Sequence, residues 1–184
     1  MFAFLRKTKI SCQELADKLA PGFTRTTIEL FEGEKQNRGE HSWILESIRS
    51  GKCRTEPVKE WVLLSIAAYV NGCRSSMKQD TTHYEFVRKF IAACGRDFIE
   101  RGIFSTAAEY SELSKDRISN YFEALAHGEA QDKIQAVARK FLVNVGCNPD
   151  DIVHRMGAAG FFVSDSANAK NVFDQIQKSY RVVA

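Results

Sequence analysis

The sequence WVLLSIAAYV, residues 61–70, is the longest apolar run of the chain. Its apolar positions recur at helical spacing, and apolar side chains also occupy much of the opposite face. A helix that is apolar nearly all round belongs at the centre of a protein, away from water. We therefore expect a central, buried helix that begins at Pro57, where the missing N–H of proline costs nothing, and ends at Gly72.

A second helix is predicted to pack against this one. It starts at Thr82-His83-Tyr84-Glu85, which has the Ser/Thr-x-x-Glu pattern of a capping box, and it ends near Gly102. Its apolar side carries Phe86, Phe90, Ala93 and Phe98. The two helices are expected to form the core around which the other helices pack.

Further helices are predicted from start and stop signals. The segments 11–14 and 106–109 repeat the capping-box pattern, and Leu113 with Ile118 brackets Ser114 as a hydrophobic staple. Asn148-Pro149-Asp150-Asp151 supplies a cap, a proline at the first helical position and acids that face the helix dipole. No segment alternates polar and apolar residues with a period of two over a useful length, so the pattern favours helices throughout.

These signals divide the chain into short helices. We expect two at residues 11–20 and 24–31 with a turn at Pro21-Gly22 between them, and others at 42–51, from 106, at 114–126, at 134–145 and from 148, with a new start at Asp165 or Ser166. The prediction is a single all-α domain over residues 1–184, a bundle of about eight helices. Residues 1–10 form an apolar and basic N-terminal tail, and residues 181–184 form a C-terminal tail.

Charge and cysteine content limit the class of protein. The formal net charge is +3, and the first ten residues carry three cations, so the remainder is balanced. Five widely spaced cysteines without a Cys-x-x-Cys pair indicate free thiols in a reducing compartment. The apolar start of the chain is too short for a secretory signal, and the run of residues 61–70 is too short to cross a bilayer. We expect a cytoplasmic protein without a transmembrane segment.

The N-terminal tail is a candidate contact surface. Its apolar Phe2 and Phe4 precede the cations Arg6, Lys7 and Lys9. One interpretation is that the apolar side chains dock on the bundle while the cations stay solvated. The other is that the tail contacts a partner or an anionic membrane surface.

Residues 13–33 resemble the helix-turn-helix of the phage-repressor family. A predicted helix is followed by Pro21-Gly22 and then by a second predicted helix whose first residues are polar. The resemblance implies that Thr24, Arg25, Thr26 and Thr27 lie in the major groove of DNA. Because Arg25 is the one cation there and stands beside Glu29 and Glu32, which repel phosphates, nucleic acid is a less favoured partner than protein.

No cofactor, metal site or catalytic residue is predicted. The sequence has no glycine-rich phosphate loop, no Gly-x-Ser-x-Gly and no Cys–His zinc spacing. Asp151 and His154 share a helix face, but a di-iron bundle needs two such pairs and two further carboxylates. A cysteine and a histidine brought together by the fold would still allow an enzyme, and the sequence selects no such pair.

The chain as a whole is similar to a loose set of small bacterial all-helical proteins of unknown function. The similarity lies in residues 1–7, the helix at 10–19, the segment 63–70 and the ending at 173–183. It implies an all-α cytoplasmic domain and brings no catalytic residues with it. The function we expect is a non-enzymatic binding or interaction module whose partner is another protein or a second copy of the chain. A DNA-binding regulator and an enzyme with an unrecognised site are the alternatives.

Overall fold

The computed structural model describes residues 7–32, 57–78, 80–127 and 129–184. Its elements are β1 (Thr8–Ser11), α1 (Cys12–Glu32), α2 (Pro57–Ser76), α3 (Thr81–Glu100), α4 (Ala107–Ala126), α5 (Ala130–Asn144), α6 (Ile152–Ser179) and β2 (Tyr180–Val183). The all-α class is confirmed. The described part contains six helices, whereas about eight were predicted for the chain, and the helix predicted at 42–51 lies outside the described residues.

Helix α2 is the buried centre of the structure, as its sequence predicts. Every residue from Glu60 to Ala68 is buried. The indole of Trp61 lies 3.9 Å from the ring of Phe161, centroid to centroid, and its Nε1 donates a hydrogen bond to the carbonyl of Thr27 at 3.2 Å. Trp61 thus joins α2 to α6 and α1, and one hydrophobic cluster takes side chains from all the described helices.

Helices α2 and α3 were predicted to form the core by packing on each other, but the contact between them is small. The largest packing surface of α2 is with α6, and α3 packs mainly against α1. Gly72 allows the close approach of α2 to α6, because its lack of a β-carbon leaves room for the backbone at Ser166. The aromatic face of α3 still points into the core, since Phe86, Phe90 and Phe98 are fully buried.

Helix α1 is continuous through Pro21, where the sequence predicted a turn between two short helices. The missing N–H of a proline removes one helical hydrogen bond. Contacts with α3 hold the helix on both sides of that position. Arg96 donates to Asp17 at 2.7 Å, and the Thr24 hydroxyl donates to Asp97. Tertiary contacts therefore decide the length of α1.

Two further pairs of predicted helices are each one continuous helix in the structure, which lowers the number of helices again. Thr106 caps α4 by accepting from the Glu109 N–H at 3.1 Å, as predicted, but Ser114 lies inside that helix and not at a new start. Helix α6 runs through Asp165 and Ser166, where a second start was expected. Here the Ser166 hydroxyl donates to the Ala68 carbonyl at 3.0 Å, so it joins two helices instead of capping one.

The two strands form a small parallel sheet that the sequence did not predict. β1 pairs with β2 in the register Thr8 with Tyr180, Lys9 with Arg181 and Ile10 with Val182. Ile10 is buried and attaches the sheet to the core. The sheet brings part of the predicted N-terminal tail beside the end of α6. None of the helices described here has the length and apolar character needed to cross a membrane.

Candidate functional site

An open groove of about 760 Å³ lies beside the two-stranded sheet. We call it the basic groove. Its lining comes from β1, β2, the α2–α3 connection, the start of α3 and the end of α6, and comprises Lys7, Lys9, Met77, Lys78, Asp80, Thr82, Gln177, Tyr180, Arg181 and Val182. This volume lies within the usual range for ligand sites.

Hydrogen bonds hold the walls of the basic groove together. The Gln177 side chain of α6 donates to the Ser76 carbonyl at the end of α2, at 3.1 Å. The Ser76 hydroxyl in turn donates to the Lys170 carbonyl, also at 3.1 Å. These bonds fix the end of α6 against the end of α2, so the sheet that follows α6 has a defined position over the α2–α3 connection.

Cations dominate the electrostatics of the basic groove. Lys9, Lys78 and Arg181 are exposed, and among the described residues of the lining Asp80 is the one carboxylate. Asp80 already serves the fold, because its Oδ1 accepts from the N–H groups of Thr82 at 3.0 Å and His83 at 3.3 Å and so caps α3. Its carboxylate is therefore held at the helix N-terminus.

Lys9 and Arg181 are direct partners across the parallel sheet. Like charges placed opposite one another destabilise a strand pair. Neither of them, nor Lys78, forms an ion pair with a carboxylate among the described residues. Several cations elsewhere do have such partners: Lys18–Glu14, Arg88–Glu85, Arg96–Asp17, Arg101–Asp97 and Lys170–Asp174.

Lys7 differs from the other cations of the groove because it has a structural role. Its Nζ donates to the Gln177 carbonyl in the last turn of α6. A cation at this end of a helix also interacts favourably with the helix dipole. Lys7 thus ties the chain before β1 to the helix that leads into β2.

The structure brings part of the predicted N-terminal contact surface into the groove. Lys7 and Lys9 line it, while Phe2, Phe4 and Arg6 lie outside the described residues. Sequence reasoning missed Lys78 and Arg181, which stand far from Lys9 in the chain. A basic residue in the C-terminal segment was visible, but only the parallel pairing places it beside Lys9.

The four residues of the proposed recognition helix lie within the continuous α1. Thr24 and Thr27 are buried, and the Thr27 hydroxyl donates to the Phe23 carbonyl at 2.9 Å. Arg25 is exposed beside Glu29, with 3.7 Å between Nε and the carboxylate, and Thr26 is exposed. The predicted turn is wrong, and Thr24 and Thr27 point into the protein. DNA binding by this segment stays a prediction without support from this geometry.

The Asp151 and His154 side chains pair with each other at the start of α6. His154 Nδ1 lies 2.9 Å from Asp151 Oδ2, and Asp151 Oδ1 accepts from the His154 N–H at 3.0 Å. The hydrogen bond from that backbone N–H is the main cause that lowers the pKa of Asp151. Within the described ranges, no group of three His, Cys, Asp or Glu side chains could hold a metal ion. The pair thus serves as a helix cap.

Comparison with protein-family models, with curated proteins and with solved structures found no match for this chain.

Proposed function

We propose that this protein is a non-enzymatic binding module that takes an acidic segment of a partner protein into the basic groove. The observation that carries the proposal is the placement of Lys9 opposite Arg181, neither of which forms an ion pair with a carboxylate of the described residues. Holding two like charges side by side costs stability, and an anionic partner between them removes that cost. Complementary charge also speeds association and excludes wrong partners.

The sheet beside the groove favours an extended peptide as the occupant. Each strand is paired on one edge within the two-stranded sheet, so each has a second edge without a strand partner among the described residues. Added strands bind through main-chain hydrogen bonds, and their alternate side chains give specificity. In this arrangement acidic side chains of the partner pair with Lys9, Lys78 and Arg181. We further propose that binding takes place in the cytoplasm, a location that the free cysteines support.

The test is a titration with a fluorescein-labelled peptide of about eight residues, rich in glutamate and long enough for one strand. The groove variant carries Lys9→Glu and Arg181→Glu. The matched control carries Lys115→Glu and Arg139→Glu, which change the net charge equally at exposed positions outside the lining. Anisotropy is measured at about 50 and about 200 mM salt, because contacts of lysine and arginine with anionic groups weaken over this range.

We expect the parent protein and the control to bind the peptide, and the groove variant to bind at least tenfold more weakly. If both variants lost the same affinity for the peptide, net charge alone would explain the effect and the proposal would be overturned. A mixed-sequence DNA duplex is titrated in parallel. If the duplex binds more tightly than the peptide and loses binding in the groove variant, the groove is a nucleic-acid site and the acidic-peptide assignment is wrong.

A further inference from the structure

Two sulfur donors and one imidazole nitrogen meet where α2 ends and α3 begins. Cys73 Sγ lies 3.2 Å from Met77 Sδ and 3.9 Å from His83 Nδ1. All three side chains are buried, with relative exposures of 0%, 8% and 2%. Met77 follows the last residue of α2, and its N–H donates to the Cys73 carbonyl at 2.9 Å, so the two side chains lie on one face. The Asp80 cap holds His83 in the first turn of α3.

We propose that Cys73, Met77 and His83 form a three-coordinate site for copper(I). Thiolate and thioether are the soft ligands that select this ion, and imidazole binds copper as well. Zinc instead takes four ligands from cysteine, histidine and carboxylates, and the part of the chain that the structure describes brings no three of those types together. The inference is independent of peptide binding in the basic groove.

The distances suit such an ion after a small adjustment. With metal–ligand distances of roughly 2.0–2.3 Å, two ligands of a trigonal ion stand about 3.7–4.0 Å apart. The 3.9 Å between Cys73 Sγ and His83 Nδ1 already fits this spacing. The 3.2 Å between the two sulfur atoms must widen. Methionine can provide that movement because it is unbranched and has three rotatable bonds.

The position of Met77 and the proton of the Cys73 thiol both bear on how the ion would bind. Met77 lines the basic groove as well as contacting Cys73, so one ligand of the site borders the solvent. Without the ion, Cys73 Sγ donates a hydrogen bond to Met77 Sδ, so it carries a proton. Binding forms the copper–sulfur bond and releases that proton to solvent, with no change in oxidation state.

The test measures copper(I) affinity by competition with a chromophoric copper(I) chelator, under nitrogen with ascorbate present. Cys53→Ser and Cys147→Ser are introduced first, which leaves Cys12, Cys73 and Cys94, the three buried cysteines of the described residues. Three variants follow in that background: Cys73→Ala, Met77→Leu and, as the control, Cys94→Ala. Cys94 is a suitable control because it is another buried thiol, on α3. Leucine is close to methionine in volume, so Met77→Leu is expected to fold. Circular dichroism checks each variant.

We expect one tightly bound copper(I) per chain in the background protein and in the Cys94 variant. Cys73→Ala should lower the affinity by at least about a hundredfold, and Met77→Leu by about tenfold or more, since loss of outer-shell groups alone costs ten- to a hundredfold. Unchanged affinity in Cys73→Ala or in Met77→Leu would overturn the site. An equal loss in Cys94→Ala would also overturn it, since binding would then follow the number of thiols.

Discussion

Gly72 of α2 lies against the backbone of α6 at Ser166, so closely that a β-carbon on Gly72 would stand 2.2 Å from the Ser166 carbonyl oxygen. Two side-chain hydrogen bonds form at the same crossing. The Ser166 hydroxyl donates to Ala68 at 3.0 Å, and Asn71 donates to that hydroxyl at 3.3 Å. The crossing is therefore fixed by both close packing and hydrogen bonding, and it cannot open without loss of both.

Gly72→Ala is expected to lower the free energy of unfolding by about 3 kcal/mol, at the upper end of the cost of overpacking. The new methyl group would meet backbone of α6 and the Ala169 β-carbon, neither of which can move as a flexible side chain can. Urea denaturation followed by circular dichroism measures the change. Gly22→Ala is the matched control, because nothing lies within 4 Å of the added β-carbon. There alanine should stabilise α1 by up to about 1 kcal/mol. Equal effects at the two positions would contradict the packing argument.

Pro21→Ala is expected to stabilise the protein. Pro21 lies inside the continuous α1, and a proline in a helix interior removes a hydrogen bond and costs roughly 3 kcal/mol. Alanine restores the N–H, so the free energy of unfolding should rise by about 1–3 kcal/mol in the same urea assay. A loss of stability would mean that the helix breaks at this position, as the sequence alone predicted.

The Glu60–Arg117 ion pair is expected to be strongly coupled. Arg117 Nε lies 2.9 Å from Glu60 Oε1, and 7% of the Glu60 side chain is exposed. Arg117→Met leaves that carboxylate buried without its partner, which typically costs 3–5 kcal/mol. Adding Glu60→Gln removes the charge and should restore about half of the loss or more. A double-mutant cycle in urea measures the coupling, and additive effects of the two substitutions would argue against it.

Asp165 is expected to make stability fall as pH rises. Burial raises the pKa of this carboxyl to about 7 from its ordinary value of 3.8. Between these two values the folded state holds a proton that the unfolded state releases, so the free energy of unfolding decreases from about pH 4 to pH 7 and then levels off.

Asp165→Asn should remove that dependence. We expect little difference from the parent protein at about pH 4 and a gain on the order of 2 kcal/mol at about pH 8, less than the full pKa shift implies because the side chain is only partly buried. Urea denaturation at the two pH values makes the comparison. A gain of the same size at both pH values would show that packing, not ionisation, is responsible.

Some of the candidate site could be predicted from sequence and some could not. Lys7 and Lys9 stood out because they follow an apolar start of the chain. The role of Arg181 could not be seen, because its partner Lys9 is distant in the chain and a four-residue strand has too few positions to show a period. The Cys73–Met77–His83 cluster was missed because its spacing follows no metal-binding motif.

The sequence by itself determined the all-α class, the buried centre at Trp61 to Ala68 and the caps at Ser11 and Thr106. The Glu14 N–H is 3.1 Å from the Ser11 hydroxyl, as the capping pattern predicts. Such features depend on neighbours within one or two turns, which local periodicity and capping chemistry encode. Only the tertiary structure decided that α1 continues through Pro21, that α2 packs on α6 at Gly72 and that Lys9 faces Arg181. These outcomes arise from contacts between distant segments, whose free energies outweigh local helix preferences and leave no repeating pattern in the chain.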